Sequence, residues 1–167
     1  MFRVISVLLL FVLAFSASAD VKIPIKHRVS NRPGGYCVWA SLETIGYYHK
    51  DERLYGLVSH YSRWQSIGAG SKEVKECLDS LEVPYEIRTN TSIDWLKEQV
   101  DNKIPIIVGC SWINGNHAIV IVDVTDEWVK YVDSNDIRND NWVSREWFEW
   151  AWENSYETRW SVKILKQ

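Results

Sequence analysis

The sequence predicts an α+β fold in which a helical N-terminal half packs on a C-terminal antiparallel β-sheet. Three observations predict it. Apolar residues recur at helical spacing from Cys37 to about Val100. From Ile104 to Asp133 they form runs of strand length. Between two of those runs stands Asn114-Gly115, the strongest short turn signal in the chain. At 167 residues, without an internal repeat or a low-complexity linker, the chain has room for one domain.

The first nineteen residues stand apart from that domain. Arg3 supplies a positive start, Val4 to Phe15 an apolar run, and Ala17-Ser18-Ala19 a small-x-small cleavage site. This is the pattern of a secretory signal peptide, which assigns 1–19 to a leader and 20–167 to a single exported domain, secreted or periplasmic. The apolar run is short for a membrane anchor and no basic stop-transfer flank follows it. No Cys follows the cleavage site to carry a lipid, so no membrane contact is expected after cleavage.

The elements follow in order. Trp39, Leu42, Ile45 and Tyr48 place a buried helix after Cys37. Arg53 to Trp64 continues as a second helix through Leu54, Leu57, Val58, Tyr61 and Trp64. Gly68-Ala69-Gly70 breaks that pattern, and Ser71 is placed to cap a third helix carrying Val74, Leu78 and Leu81. Pro84 stops it and Tyr85 to Arg88 reads as extended. Thr91 with Asp94 forms a capping-box variant ahead of Trp95, Leu96 and Val100. Ile104–Trp112, His117–Val124 and Trp128–Asp133 then read as a three-stranded antiparallel meander. Ser144 is placed to cap a Trp-rich helix over Arg145–Trp152, and Trp160–Leu165 alternates as a final strand.

Charge and cysteine count narrow the function. The chain carries 19 basic and 22 acidic residues, net −3, with no Lys/Arg cluster that would grip nucleic acid. Its three cysteines are Cys37, Cys77 and Cys110. In an exported protein an odd count suggests a pair plus one free thiol, which leaves Cys77 and Cys110 to form a disulfide around a free Cys37. Two buried reduced thiols are the other reading of the same pair. No CxxC, HxH or HExxH spacing is present, so neither a metal nor another cofactor is expected.

Cys37 stands at the start of the first helix, where free backbone N–H groups and the helix dipole favour a thiolate. Gly34 and Gly35 let the chain ahead of it approach a substrate, and Gly35 and Tyr36 are expected to line the substrate site. His117 opens a strand directly after the Asn-Gly turn, and Asp133 closes the next strand. The two turns make these strands neighbours, so the aspartate can hold one imidazole nitrogen while the other faces the thiol. Taken singly, each residue has a plainer reading: a small core cysteine, a satisfied strand histidine, a turn-forming aspartate. Their placement at mutually reachable ends argues for a Cys-His-Asp nucleophile system.

Cys37-Val38-Trp39-Ala40-Ser41-Leu42 resembles the Cys-x-x-Ala-x-Leu helix opening of the bacteriocin-processing (double-glycine-leader) peptidases and their papain-like kin. His117-Ala-Ile-Val-Ile-Val is similar to their His-strand, and the spacings from Cys37 to His117 and from His117 to Asp133 match as well. Gly70-Ser71 and Ile104-Pro105-Ile106-Ile107-Val108 resemble their intermediate landmarks. The resemblance implies a papain-like fold and peptide hydrolysis through an acyl-enzyme. It also implies an oxyanion donor six positions before the thiol, where the family has Gln and this chain has the shorter Asn31. The family's Asp is commonly followed by Pro, whereas Ser134 follows here and Asn135 is a rival for the third catalytic role.

Ten Trp is a heavy aromatic load, concentrated at Trp142, Trp147, Trp150, Trp152 and Trp160. They read either as core capping the sheet or as a surface for sugars or apolar peptide side chains. Trp112, just ahead of the turn, is expected to wall the cleft beside His117. The resulting expectation is a monomeric, exported cysteine peptidase hydrolysing peptide, isopeptide or amide bonds in a peptide or protein substrate. A transglutaminase-like acyl transferase and a non-catalytic peptide- or glycan-binding module on the same fold are the alternatives.

Overall fold

The apolar stripe that follows Cys37 folds as helix α1 (Cys37–His49), and its residues are buried without a break from Cys37 to Gly46. A stretch buried on all sides lies in the interior, and α1 packs on the sheet and on the next helix together. Gly46 is required by that packing, because a Cβ there would lie 2.6 Å from the Leu54 Cβ. The computed structural model describes residues 20–32, 34–63, 68–113 and 115–166. The expected leader, Trp64 and Asn114 lie outside the described residues.

The second helix differs from the expectation. A 3-10 turn (Glu52–Leu54) precedes α2 (Leu57–Arg63), and Gly56, at φ 77°, separates the two. The cause is a buried carboxylate: Glu43 of α1 accepts the N–H groups of Gly56 and Val58, each at 3.0 Å. A cap delivered from another helix leaves no local sequence pattern. Trp39 is fully buried and stacks on Tyr61 of α2 at 3.7 Å, which joins the two helices.

Caps decide the next two helices. In α3 (Ser71–Ser80) the expected cap moves one residue earlier, to Gly70, whose N–H is accepted by Glu73 at 2.9 Å. Ser71 instead gives its N–H and its hydroxyl to Glu157. In α4 (Ile93–Asp101) the cap is Ser92, which accepts the Trp95 N–H at 3.2 Å, and not Thr91. Thr91 is buried, its hydroxyl 2.9 Å from that of Ser161.

The sheet has six strands in the order β1-β6-β2-β3-β4-β5, with every neighbouring pair antiparallel. They are β1 (Tyr85–Arg88), β2 (Ile106–Trp112), β3 (Gly115–Val124), β4 (Trp128–Asp133), β5 (Asp136–Ser144) and β6 (Ser161–Ile164). The fold is α+β, and the meander β2-β3-β4 stands as its register predicts. Strand β5 was not expected. It is an exposed edge strand of mostly polar residues, so it carries no clear two-residue alternation. Ser144 caps α5 (Arg145–Glu153) by accepting the Trp147 N–H at 3.3 Å, as expected. β3 is buried from His117 to Val124, so both faces of the sheet are covered at its centre.

The Cys77–Cys110 disulfide does not form. All three cysteines are free. Cys77 sits on α3 beside the Tyr61 hydroxyl, and Cys110 is fully enclosed in β2, so the two thiols have separate surroundings. Burial raises the pKa of both, which keeps them protonated and inert. The tryptophans divide: Trp152 and Trp160 are core, whereas Trp142, Trp147 and Trp150 are exposed. No helix among the described residues is long and apolar enough to cross a membrane.

Because Glu43 is buried and holds two otherwise orphaned N–H groups, Glu43→Ala should lower unfolding stability by about 2–3 kcal/mol. Urea denaturation monitored by tryptophan fluorescence checks this. Glu43→Gln, which keeps an acceptor, should lose less.

Candidate active site

The pairing of β3 with β4 brings His117 and Asp133 together across sixteen residues of chain. His117 Nε2 lies 2.7 Å from Asp133 Oδ1, and both side chains are almost wholly buried. Asn135 joins them: its backbone N–H donates to Asp133 Oδ1 at 2.7 Å and its Nδ2 lies 3.3 Å from His117 Nε2. With Nε2 engaged in this way, the Nδ1 side of the ring is the one that meets Cys37.

Cys37 is supplied by the other half of the fold. It begins α1 in the turn after Gly34 and Gly35, whose φ values of 116° and 82° favour glycine. The His117 ring and the backbone N–H groups of Ala118 and Val38 surround the thiol, and each favours its ionised form. Burial pushes the Cys37 thiol up. The His117 bond, the Ala118 N–H, the imidazolium charge and the Val38 N–H together outweigh that and hold it below the ordinary thiol value.

Burial lowers the His117 pKa, but the bonds to Asp133 and Cys37 and the charges on both reverse this and raise it to about 9. Asp133 is raised by burial and lowered more by His117 and by the Asn135 N–H, so it stays ionised. The arrangement favours thiolate and imidazolium side by side, a nucleophile with a proton donor already next to it.

Asn31 fastens the two halves at this point. Its backbone N–H donates to the Ser134 carbonyl at 2.9 Å, its Oδ1 accepts the Tyr36 N–H at 2.6 Å, and its Nδ2 donates to Asn135 Oδ1 at 3.2 Å. One side chain therefore braces both the turn ahead of Cys37 and the loop after Asp133.

A cleft of about 580 Å³ opens at Cys37 and His117. Its walls include Gly70, Glu73, Gly109, Tyr156, Glu157 and Trp160. Gly35 and Tyr36 are not among its lining residues. Tyr36 is buried, and both residues serve through the backbone, Gly35 by accepting the Gly68 N–H at 2.8 Å. Trp112 is not a cleft wall either. It meets the His117 ring edge-on at 5.6 Å and rests on Tyr131 and Trp147, so it backs the imidazole. Trp160 and Tyr156 form the aromatic part of the wall. The Gly68-Ala69-Gly70 break is visible in the sequence, whereas Ser155–Glu157 carries no local signal. No group of three or more His, Cys, Asp or Glu able to hold a metal ion occurs among the described residues.

No family model matches this chain, and no curated protein matches it. Among solved structures it is similar to a Bacillus anthracis protein provisionally described as a C39-like peptidase. The two are 20% identical, with a TM-score of 0.46. The match spans 56% of this chain and 56% of that one, little more than half the length of either.

Cys37 should be alkylated by iodoacetamide at mildly acidic pH while Cys77 and Cys110 stay unmodified, as read by peptide mass mapping. His117→Ala should move the pH dependence of that reaction up toward the ordinary thiol range, because the imidazole bond and charge are lost.

Proposed function

We propose that this chain is a cysteine peptidase acting through Cys37, His117 and Asp133. The observation that carries the reading is that Cys37 and His117 line one open cleft, with the ring held by Asp133 at 2.7 Å. The Cys37 thiolate attacks a peptide carbonyl, and the electron pair moves onto the carbonyl oxygen. That oxyanion takes hydrogen bonds from the Cys37 N–H at the helix start and from the second Nδ2 hydrogen of Asn31. The imidazolium then protonates the leaving amine, and the C–N bond breaks to give a thioester. The neutral imidazole takes a proton from water, hydroxide attacks the thioester, and the acid leaves as the thiolate and imidazolium re-form.

Asp133 keeps the ring in one orientation and stabilises its charged form, with Asn135 steadying the carboxylate through its backbone N–H. The papain-like resemblance of the Cys37 and His117 segments agrees with this assignment. The leader-like 1–19 segment further suggests that the substrates are met outside the cytoplasm.

Hydrolysis of a peptide library, read by mass spectrometry, tests the proposal. Cys37→Ala should abolish cleavage, and Asp133→Ala should reduce kcat/KM by about 10²–10⁴. Asn31→Ala should cost about 10²–10³. kcat/KM should rise with pH as Cys37 ionises, below the ordinary thiol value, and fall as His117 loses its proton near 9. Full cleavage by Cys37→Ala would end the reading, and transfer of the acyl group to an added amine in preference to water would replace hydrolysis with acyl transfer.

A further inference from the structure

The cleft beside Cys37 is asymmetric in charge. Two carboxylates, Glu73 and Glu157, belong to its lining, and no described lining residue is Lys or Arg. Their hydrogen bonds hold them without neutralising them. Glu73 accepts the Gly70 N–H, and Glu157 accepts the Ser71 N–H and hydroxyl. Lys72 neighbours Glu73 along the chain and draws its pKa down, but it is not part of the wall.

The fold is built to admit Glu157 there. A Cβ on Gly70 would lie 2.6 Å from Glu157 Oε1, so a side chain there would displace the carboxylate from its present place. A second feature concerns the aromatic part of the wall. Trp160 lines the cleft at 4% exposure, and its indole N–H has no hydrogen-bond partner among the described residues. Its backbone is fixed, because its carbonyl accepts the Trp152 indole N–H at 2.9 Å. Gly109 packs so close to this ring that a Cβ would meet it at 3.2 Å.

From these walls we infer that the cleft selects peptides with a lysine or arginine side chain beside the bond presented to Cys37. This rests on the peptidase reading and names its substrate class. The aliphatic stem of such a side chain lies along Trp160 and Tyr156, and its cation meets Glu73 and Glu157. A volume of about 580 Å³ accommodates a long side chain with its flanking backbone.

Two experiments separate this inference from the activity beneath it. In the first, Cys37 reacts with a cationic and an anionic methanethiosulfonate of similar size. The thiolate displaces methanesulfinate and forms a mixed disulfide in both cases, so no hydrolysis is needed. The ratio of cationic to anionic rates should fall roughly fivefold in Glu73→Gln and in Glu157→Gln, each of which keeps the hydrogen-bond acceptor. An unchanged ratio in both variants overturns the inference. In the second, matched peptides with lysine or norleucine at one position are compared by kcat/KM. Preference for lysine that is lost in the two Gln variants supports the inference, and equal cleavage of both peptides overturns it. Failure to cleave either peptide counts against the peptidase reading, and the thiosulfonate ratio then decides the charge selectivity by itself.

Discussion

The site depends on one interaction: a thiol and an imidazole held in contact where little water reaches them, with a carboxylate behind the ring. Burial alone would leave each of the three groups uncharged, since desolvation raises Cys37 and Asp133 and lowers His117. Contact reverses all three tendencies. Each charge is favoured because another lies beside it, and in a low-dielectric setting that mutual support is far stronger than in water. The same arrangement makes the three groups cooperative. Removing any member leaves the others facing desolvation without compensation.

The rest of the structure can be understood as what keeps that contact in place. Antiparallel pairing of β3 with β4 sets His117 against Asp133, and no other element is needed for it. Bringing the thiol to the ring is harder, because α1 belongs to the helical half. Two devices accomplish it. The buried face of α1 packs on β3, and Asn31 ties the turn before Cys37 to the loop after Asp133. Trp112 supports the imidazole from behind. Asn31 is therefore a strut between the halves, bonded to the turn on one side and to the loop on the other.

Parts of this organisation could be read in the sequence because they are encoded locally. β4 spans the expected Trp128–Asp133, and the His117–Asp133 contact follows from two turns and a strand register. Ser144 caps α5 because the cap, its N–H partner and the helix are contiguous. What escaped depends on distant residues. The break before α2 is made by Glu43, a carboxylate on another helix. Thr91 is drawn from its expected cap by Ser161, on β6. β5 is an edge strand, where polar residues protect against aberrant pairing and erase the alternation that marks buried strands. The cleft walls escaped for a related reason, since Glu157 and Trp160 reach Cys37 only through the return of the chain from α5 into β6. Cysteine counting misled because it assumes that thiols are spared for bonding, whereas Cys77 and Cys110 are used as packing.

At neutral pH His117 is expected to carry a proton, because Cys37 and Asp133 are charged around it. Nitrogen-15 NMR of the His117 ring across a pH titration measures this directly. The account predicts a ring protonated at both nitrogens through neutrality and titrating near 9, with Cys37→Ala shifting the transition downward. A ring that is already neutral at pH 7, unaffected by that substitution, would contradict it.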